Sequence, residues 1–167
     1  MSELEIPGRM SGATDMDLSA GAVRMLPATA PDALAKIVAI EKWVLGLDQV
    51  KLPTEHVIHA GMYARTIKMP AQTILTGALM KRSTLLILSG SALVLVGDEW
   101  VEFEGYNVIP GSAGRKQVCV SRSLVIATML FPTQARTVED AEAEFTDEAA
   151  GLMSRWQDAN TVVITAE

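Results

Sequence analysis

The stretch TLLILSGSALVLVGDEWVEFE, residues 84–104, decides the fold. Two apolar runs, Thr84–Leu88 and Ala92–Val96, lead to Gly97-Asp98, and an alternating run, Glu99–Glu104, leaves it. Glycine first in a two-residue loop supplies the positive φ of a type II′ turn, so the segment reads as a β-hairpin. Beyond the turn, Val101 and Phe103 alternate with Trp100, Glu102 and Glu104. That period of two puts one face of the strand in the core and the other in water.

The same punctuation extends in both directions. Met62–Lys68 and Thr73–Ala78 come before; Asn107–Ile109, Gln117–Val120 and Leu124–Leu130 come after. Pro70-Ala71, Ser89-Gly90-Ser91, Gly105 and Pro110-Gly111 separate the runs, the last in the order of a type II turn. Roughly eight short strands so regularly spaced predict a sandwich or jelly roll rather than a βαβ sheet. Leu124–Phe131 is almost continuously apolar, which predicts a strand buried on both faces.

The flanks complete a four-part organisation: an extended arm over 1–30, a helix and linker over 31–52, the jelly roll over 53–133, and an acidic helix with a terminal apolar strand over 134–167. Glycines and prolines interrupt the arm throughout, so it is expected to be mobile unless a neighbouring subunit holds it. Pro31-Asp32 opens a helix running to about Leu47, with apolar residues on more than one face, as in a core or interface helix. Thr137-Val-Glu-Asp140 resembles a capping box, and Glu139, Asp140, Glu142 and Glu144 follow the start of that helix. Thr161–Thr165 is β-prone and apolar, a strand either paired at home or donated to a neighbour.

Composition narrows the function. The chain is 49% hydrophobic but only 5% aromatic, so aliphatic residues and nine Met must fill the core. Apolar surplus at this size commonly finds a partner subunit, and a homo-oligomer is expected. A formal charge of −6 lacks the electrostatic term for phosphate backbones, which argues against a nucleic-acid partner. No apolar run reaches the ~20 residues that span a bilayer, and the first residues lack the pattern of a secretory signal. Cys119, the only cysteine, reads as a buried, inert thiol.

Four segments resemble the small cupin-like proteins encoded by tailed bacteriophages. GMYAR (61–65) resembles their opening strand, and TGALMKRSTLLILSG (76–90) their first cupin motif. YNVIPGSAGRKQV (106–118) resembles the second motif, and TMLFPT (128–133) the last strand, ahead of an acidic segment. The resemblance covers about residues 55–145 and implies a cupin-like jelly-roll barrel. Aligned this way, the first-motif histidines fall at Met80 and Thr84, the acidic residue at Ser83, and the late histidine at Phe131. None is an ordinary ligand for a divalent ion, so the resemblance implies a barrel without metal, cofactor or catalytic residues.

Other candidates are weaker. His56 and His59 would point to opposite sides of a strand, which disfavours a two-histidine metal site. Ser83-Thr84, Ser121-Arg122-Ser123 and Cys119 have no histidine nearby in sequence to activate them. Asp98-Glu99, Glu102 and Glu104 read as solubilising acids. Lys81-Arg82 and Gly114-Arg115-Lys116 read as solvated loops, or as contacts to the acidic C-terminal segment of another subunit.

The expectation is a non-enzymatic structural protein. Within the resemblance it is a virion component, such as a capsid decoration (cement) protein or a tail or adaptor part. It would be made in the host cytoplasm and would contact capsid or tail proteins, without nucleic acid or membrane. The alternative is a small-molecule binder or a metal-independent cupin enzyme of isomerase or lyase type. Tyr63, Arg65, Thr84, Arg115 and Gln117 would then line the barrel mouth.

Overall fold

The computed structural model describes residues 25–165. The arm expected over 1–30 therefore lies largely outside the described residues. Its last six are held by their own chain. Leu26 is buried, donates its N–H to Pro110 O, and pairs in parallel with Gly111. Thr29 Oγ1 exchanges hydrogen bonds with the backbone of Lys116.

Helix α1, Pro31–Val44, leads to β1 (Thr54–His59), β2 (Met62–Met69), β3 (Ile74–Thr76), β4 (Thr84–Val96), β5 (Glu99–Gly111), β6 (Val118–Ser121) and β7 (Val125–Pro132). Helix α2, Val138–Phe145, two short 3-10 turns and β8 (Asn160–Ile164) complete the chain. The strands form one eight-stranded sheet in the order β3-β6-β4-β7-β2-β1-β8, with β5 also on β4. All pairings are antiparallel except β8 on β1. The fold is mainly β, a curled cupin-like jelly roll with one helix before it and one after.

The central ribbon is longer than its sequence punctuation suggests. Ser89-Gly90-Ser91 and Gly105, expected as breaks, lie opposite one another inside β4 and β5 at the pair Gly90↔Gly105. Both glycines have positive φ, 121° and 70°. A Cβ on Gly90 would sit 2.4 Å from Leu124 O. The glycines therefore bend the ribbon: residues 85–89 of β4 pair with β7, and residues 92–94 pair with β6. Gly97-Asp98 is the expected two-residue hairpin, with φ +63° at Gly97. Pro110-Gly111 is not a turn; it continues β5, and the type II expectation fails there.

Strand β1 was not foreseen as a strand of its own, although Leu52-Pro53 reads as the entry to the barrel. Its connection to β2, Ala60-Gly61, has positive φ at both residues, 47° and 71°. Alanine at such a position costs energy and lacks the Asn-Gly or Asp-Gly signature of this turn, so sequence alone carries no hairpin signal.

Alternation sorts the sheet into two faces. Leu86, Leu88, Ala92, Val94, Phe103, Ile109 and Val125 point inward and form the main core. The expectation that Leu124–Phe131 is buried on both faces is corrected: Leu124 is 59% exposed and Ile126 37%. The strand is apolar on both sides, but only one side is covered. Helix α1 likewise buries a single face, through Ala33 and Ile37, against Leu95 and Val118. Its other face leaves Val38 and Trp43 exposed, with Leu45 and Leu47 just beyond it. The terminal strand is paired at home, parallel to β1, with Val162, Val163 and Ile164 exposed.

Candidate functional site

The barrel interior has two chemically distinct ends. One is aromatic. Tyr63, Phe131 and Phe145 meet with ring centroids 5.3–6.3 Å apart, joined by Met80, Ile58 and Ala141. The Arg82 guanidinium lies 4.7 Å from the Phe131 ring centroid, a cation–π contact, and also pairs with Glu144 of α2. Two of the positions aligned with family metal ligands, Met80 and Phe131, are thus packing residues. Ser83 is exposed and accepts a hydrogen bond from Ala113 N, while Thr84 points inward. These side chains do not fit a divalent ion, which needs several convergent N or O donors. Among the described residues no group of three or more His, Cys, Asp and Glu could hold one.

Beside the aromatic end lies a buried polar network that ties α2 to the sheet. Glu142, which sequence places in the acidic C-terminal helix, is buried on α2. Its Oε1 accepts from Arg65 Nη1 at 2.9 Å and from Ser154 Oγ at 3.2 Å; its Oε2 accepts from Arg155 Nε at 2.6 Å. Arg65 Nη2 also donates to Ser154 Oγ. No buried side-chain nitrogen or oxygen of this network lacks a partner, as a buried ion pair requires.

His56 and Tyr63 adjoin this network. As expected of a strand, His56 and His59 point to opposite faces of β1; His56 is 2% exposed, and His59 is exposed. His56 Nδ1 lies 2.8 Å from Tyr63 Oη. Arg65, a donor only, is beside the same phenol. Burial, reinforced by the Arg65 charge, lowers the His56 pKa to about 4. Burial likewise pushes Tyr63 up to about 12. Both are neutral near pH 7.

The other end of the interior is a cavity of about 740 Å³. Its walls are apolar, including Ile67, Met69, Leu86, Leu88, Val94 and Met129. Arg65, Arg115 and Gln117 line it, as the alternative reading expects of them; Tyr63 and Thr84 do not, being turned to the aromatic cluster and to Arg115. Cys119 also lines it, and burial raises its thiol pKa to about 11, which leaves it protonated and unreactive.

Arg115 is the unusual member. It is 3% exposed, donates from Nη1 to Ser112 O at 2.8 Å and from Nη2 to Thr84 Oγ1 at 2.5 Å, and has no carboxylate partner among the described residues. Burial lowers its pKa to about 10. Gly111 makes room for it: a Cβ there would stand 2.5 Å from the guanidinium carbon. Sequence reads Gly111 as a turn residue and misses this role, because the clash involves a side chain four positions downstream.

The basic clusters do meet the acidic C-terminal segment, but within one chain. Lys81 pairs with Asp147, and Arg82 with Glu144. Lys116, expected in a solvated loop, is buried and bridges Glu148 at 2.8 Å and Glu41 of α1 at 3.1 Å. Ser121 is buried and donates to Pro70 O, away from both histidines. Glu102 pairs with Arg122, and Asp98 with Lys36.

No protein-family model and no curated protein matches the sequence. Similar solved structures include a cupin-superfamily protein from Desulfitobacterium hafniense, at 10% identity and TM-score 0.43, covering 53% of this chain and 83% of that one. An RmlC-like cupin with a double-stranded β-helix fold from Methanocaldococcus jannaschii has 11% identity and TM-score 0.41, covering 52% and 83%. A DMSP lyase from Ruegeria pomeroyi has 12% identity and TM-score 0.42, covering 53% of this chain and 50% of the lyase. At these values the likeness carries no argument about activity, ligand or partner. The fold stands on its strand order and register.

Proposed function

We propose that the chain is a non-enzymatic assembly protein, built around a cupin-like barrel without metal, that associates with copies of itself through the outer face of its sheet. One observation carries this reading. Cross-strand register lines up Pro110, Leu85, Leu130, Ala64, Val57 and Val163 in a single apolar row across six strands. Val108 and Ile87 extend it on one side, and Tyr106, 69% exposed, with Ile126 lies beyond them. Monomeric proteins rarely present a contiguous apolar patch of this extent, and identical patches are self-complementary about a two-fold axis. The resemblance to phage-encoded cupin-like proteins extends the reading to a virion part, either capsid decoration or a tail or adaptor component, made in the host cytoplasm.

Light scattering on the purified full chain tests assembly. The wild type is expected to be oligomeric, and Leu85→Glu to lower the mass while leaving the circular dichroism unchanged. A wild type that stays monomeric at all accessible concentrations refutes the assembly reading. Mass spectrometry of gradient-purified particles tests the virion extension, which fails if the chain's peptides are absent. A second reading, small-molecule binding in the barrel, is favoured by the cavity and by the uncompensated charge of Arg115.

A further inference from the structure

We infer that the cavity is a binding site for a monocarboxylic acid with an apolar body, its carboxylate held by Arg115 and its body lying along Ile67, Leu86, Leu88 and Met129. The inference rests on the ligand-binding reading and is independent of assembly through the outer face.

Three observations lead to it. First, the buried cations at the cavity are each matched by a carboxylate except one; the lining acid Asp48 is exposed at the rim. Arg65 is matched by Glu142, and Lys116 by Glu41 and Glu148; Arg115 meets only a carbonyl and a hydroxyl. A buried guanidinium without a counter-charge is costly, and its planar fork suits a carboxylate. The two hydrogen bonds of Arg115 use one N–H each of Nη1 and Nη2, each nitrogen carries a second N–H, and the side chain lines the cavity. Second, the remaining wall is aliphatic and the volume, about 740 Å³, is of the size that encloses a small amphiphile. Third, three apolar side chains stand at the rim: Leu45, Leu47 and Val50 line the cavity and are 68%, 43% and 48% exposed, with Asp48 and Gln49 beside them. An entrance of that kind admits a hydrocarbon chain better than a polar metabolite. A single unmatched positive charge selects one carboxylate over a dicarboxylate or a phosphate.

Titration calorimetry of the full chain with octanoate, benzoate and 1-octanol tests this. Octanoate is expected to bind saturably, and 1-octanol at least roughly tenfold more weakly, since it lacks the charge-assisted bonds. Arg115→Gln is expected to weaken octanoate roughly 10- to 100-fold while leaving 1-octanol unchanged. Octanoate affinity is also expected to fall below about pH 5, as the ligand's carboxyl is protonated. Ala127→Met, which fills the cavity wall without touching Arg115, is expected to abolish binding of both and keeps the test open if Arg115→Gln does not fold. Leu85→Glu on the outer face is expected to leave octanoate binding intact whether or not it dissociates an oligomer. No octanoate binding at millimolar concentration, equal affinity for 1-octanol, or undiminished binding to Ala127→Met overturns the inference.

Discussion

The inner and outer faces of this sheet are made from nearly the same residue types, yet they have opposite environments. Inside, Leu88 and Val125 are buried and Leu86 packs against the same cluster, and every buried side-chain polar atom among the described residues is partnered. Outside, Leu85 and Ile126, their neighbours on the same strands, remain exposed, as does Val108 on β5. Apolar character alone therefore does not assign a residue to the core; closure of the barrel does. The terminal segments sharpen the contrast. Helix α2 closes one end with a satisfied Glu142 clamp, whereas α1 covers one flank and leaves its own outer stripe bare.

The sharpest break in this comparison is expected at the aromatic and polar end of the interior. Phe131→Ala should cost about 3–5 kcal/mol in denaturant unfolding, because Tyr63 and Phe145 are held by the barrel and α2 and cannot collapse into the gap. A loss under 1 kcal/mol would mean that this end is loosely packed. Glu142→Ala should cost a similar amount, about 3–5 kcal/mol, since it strands Arg65 without its counter-ion. Replacing both partners, Glu142→Leu with Arg65→Met, is expected to recover most of that loss.

Next in size is a pH effect. The folded His56 pKa, about 4, lies below the ordinary value of 6.5, so the unfolded chain binds the extra proton first. Stability from this group is full above pH 6.5, falls as pH drops toward 4, and then levels off, with a total near 3 kcal/mol. His56→Gln should flatten that part of the stability–pH profile; an unchanged profile would remove His56 as its cause. The smallest effect is expected outside. Tyr106→Ala should change the unfolding free energy of the dilute protein by no more than about 0.5 kcal/mol, because the side chain is mostly exposed. The same change should weaken self-association at high concentration. A loss of several kcal/mol in dilute protein would show that the outer face is part of the fold after all.

Much of the strand pattern was legible in the sequence. The hairpin at Gly97-Asp98 and the alternation through Val101 and Phe103 needed only local rules, as did the Thr137 cap, whose Oγ1 accepts from Asp140 N. The site was less legible. Arg65, Arg115 and Gln117 were named as lining residues, but nothing local distinguishes Arg115 from Lys116. Glu142 looked like one more acid in a charged run, and His56 like a solvent-tolerant histidine. Their burial depends on partners 77 residues away for Glu142 and on β8 and α2 for His56.

The sequence by itself determined the β class, the turn at Gly97-Asp98, the cap of α2 and the greasy surplus, because these depend on backbone sterics and side-chain type within a few residues. Only the tertiary structure decided that β4 and β5 continue, bent, through their glycines and that Glu142 neutralises Arg65 while Arg115 stays without a counter-charge. It also decided which apolar face is covered. Burial and charge balance are sums over neighbours brought together by the fold, and adjacent residues in the chain do not contain them.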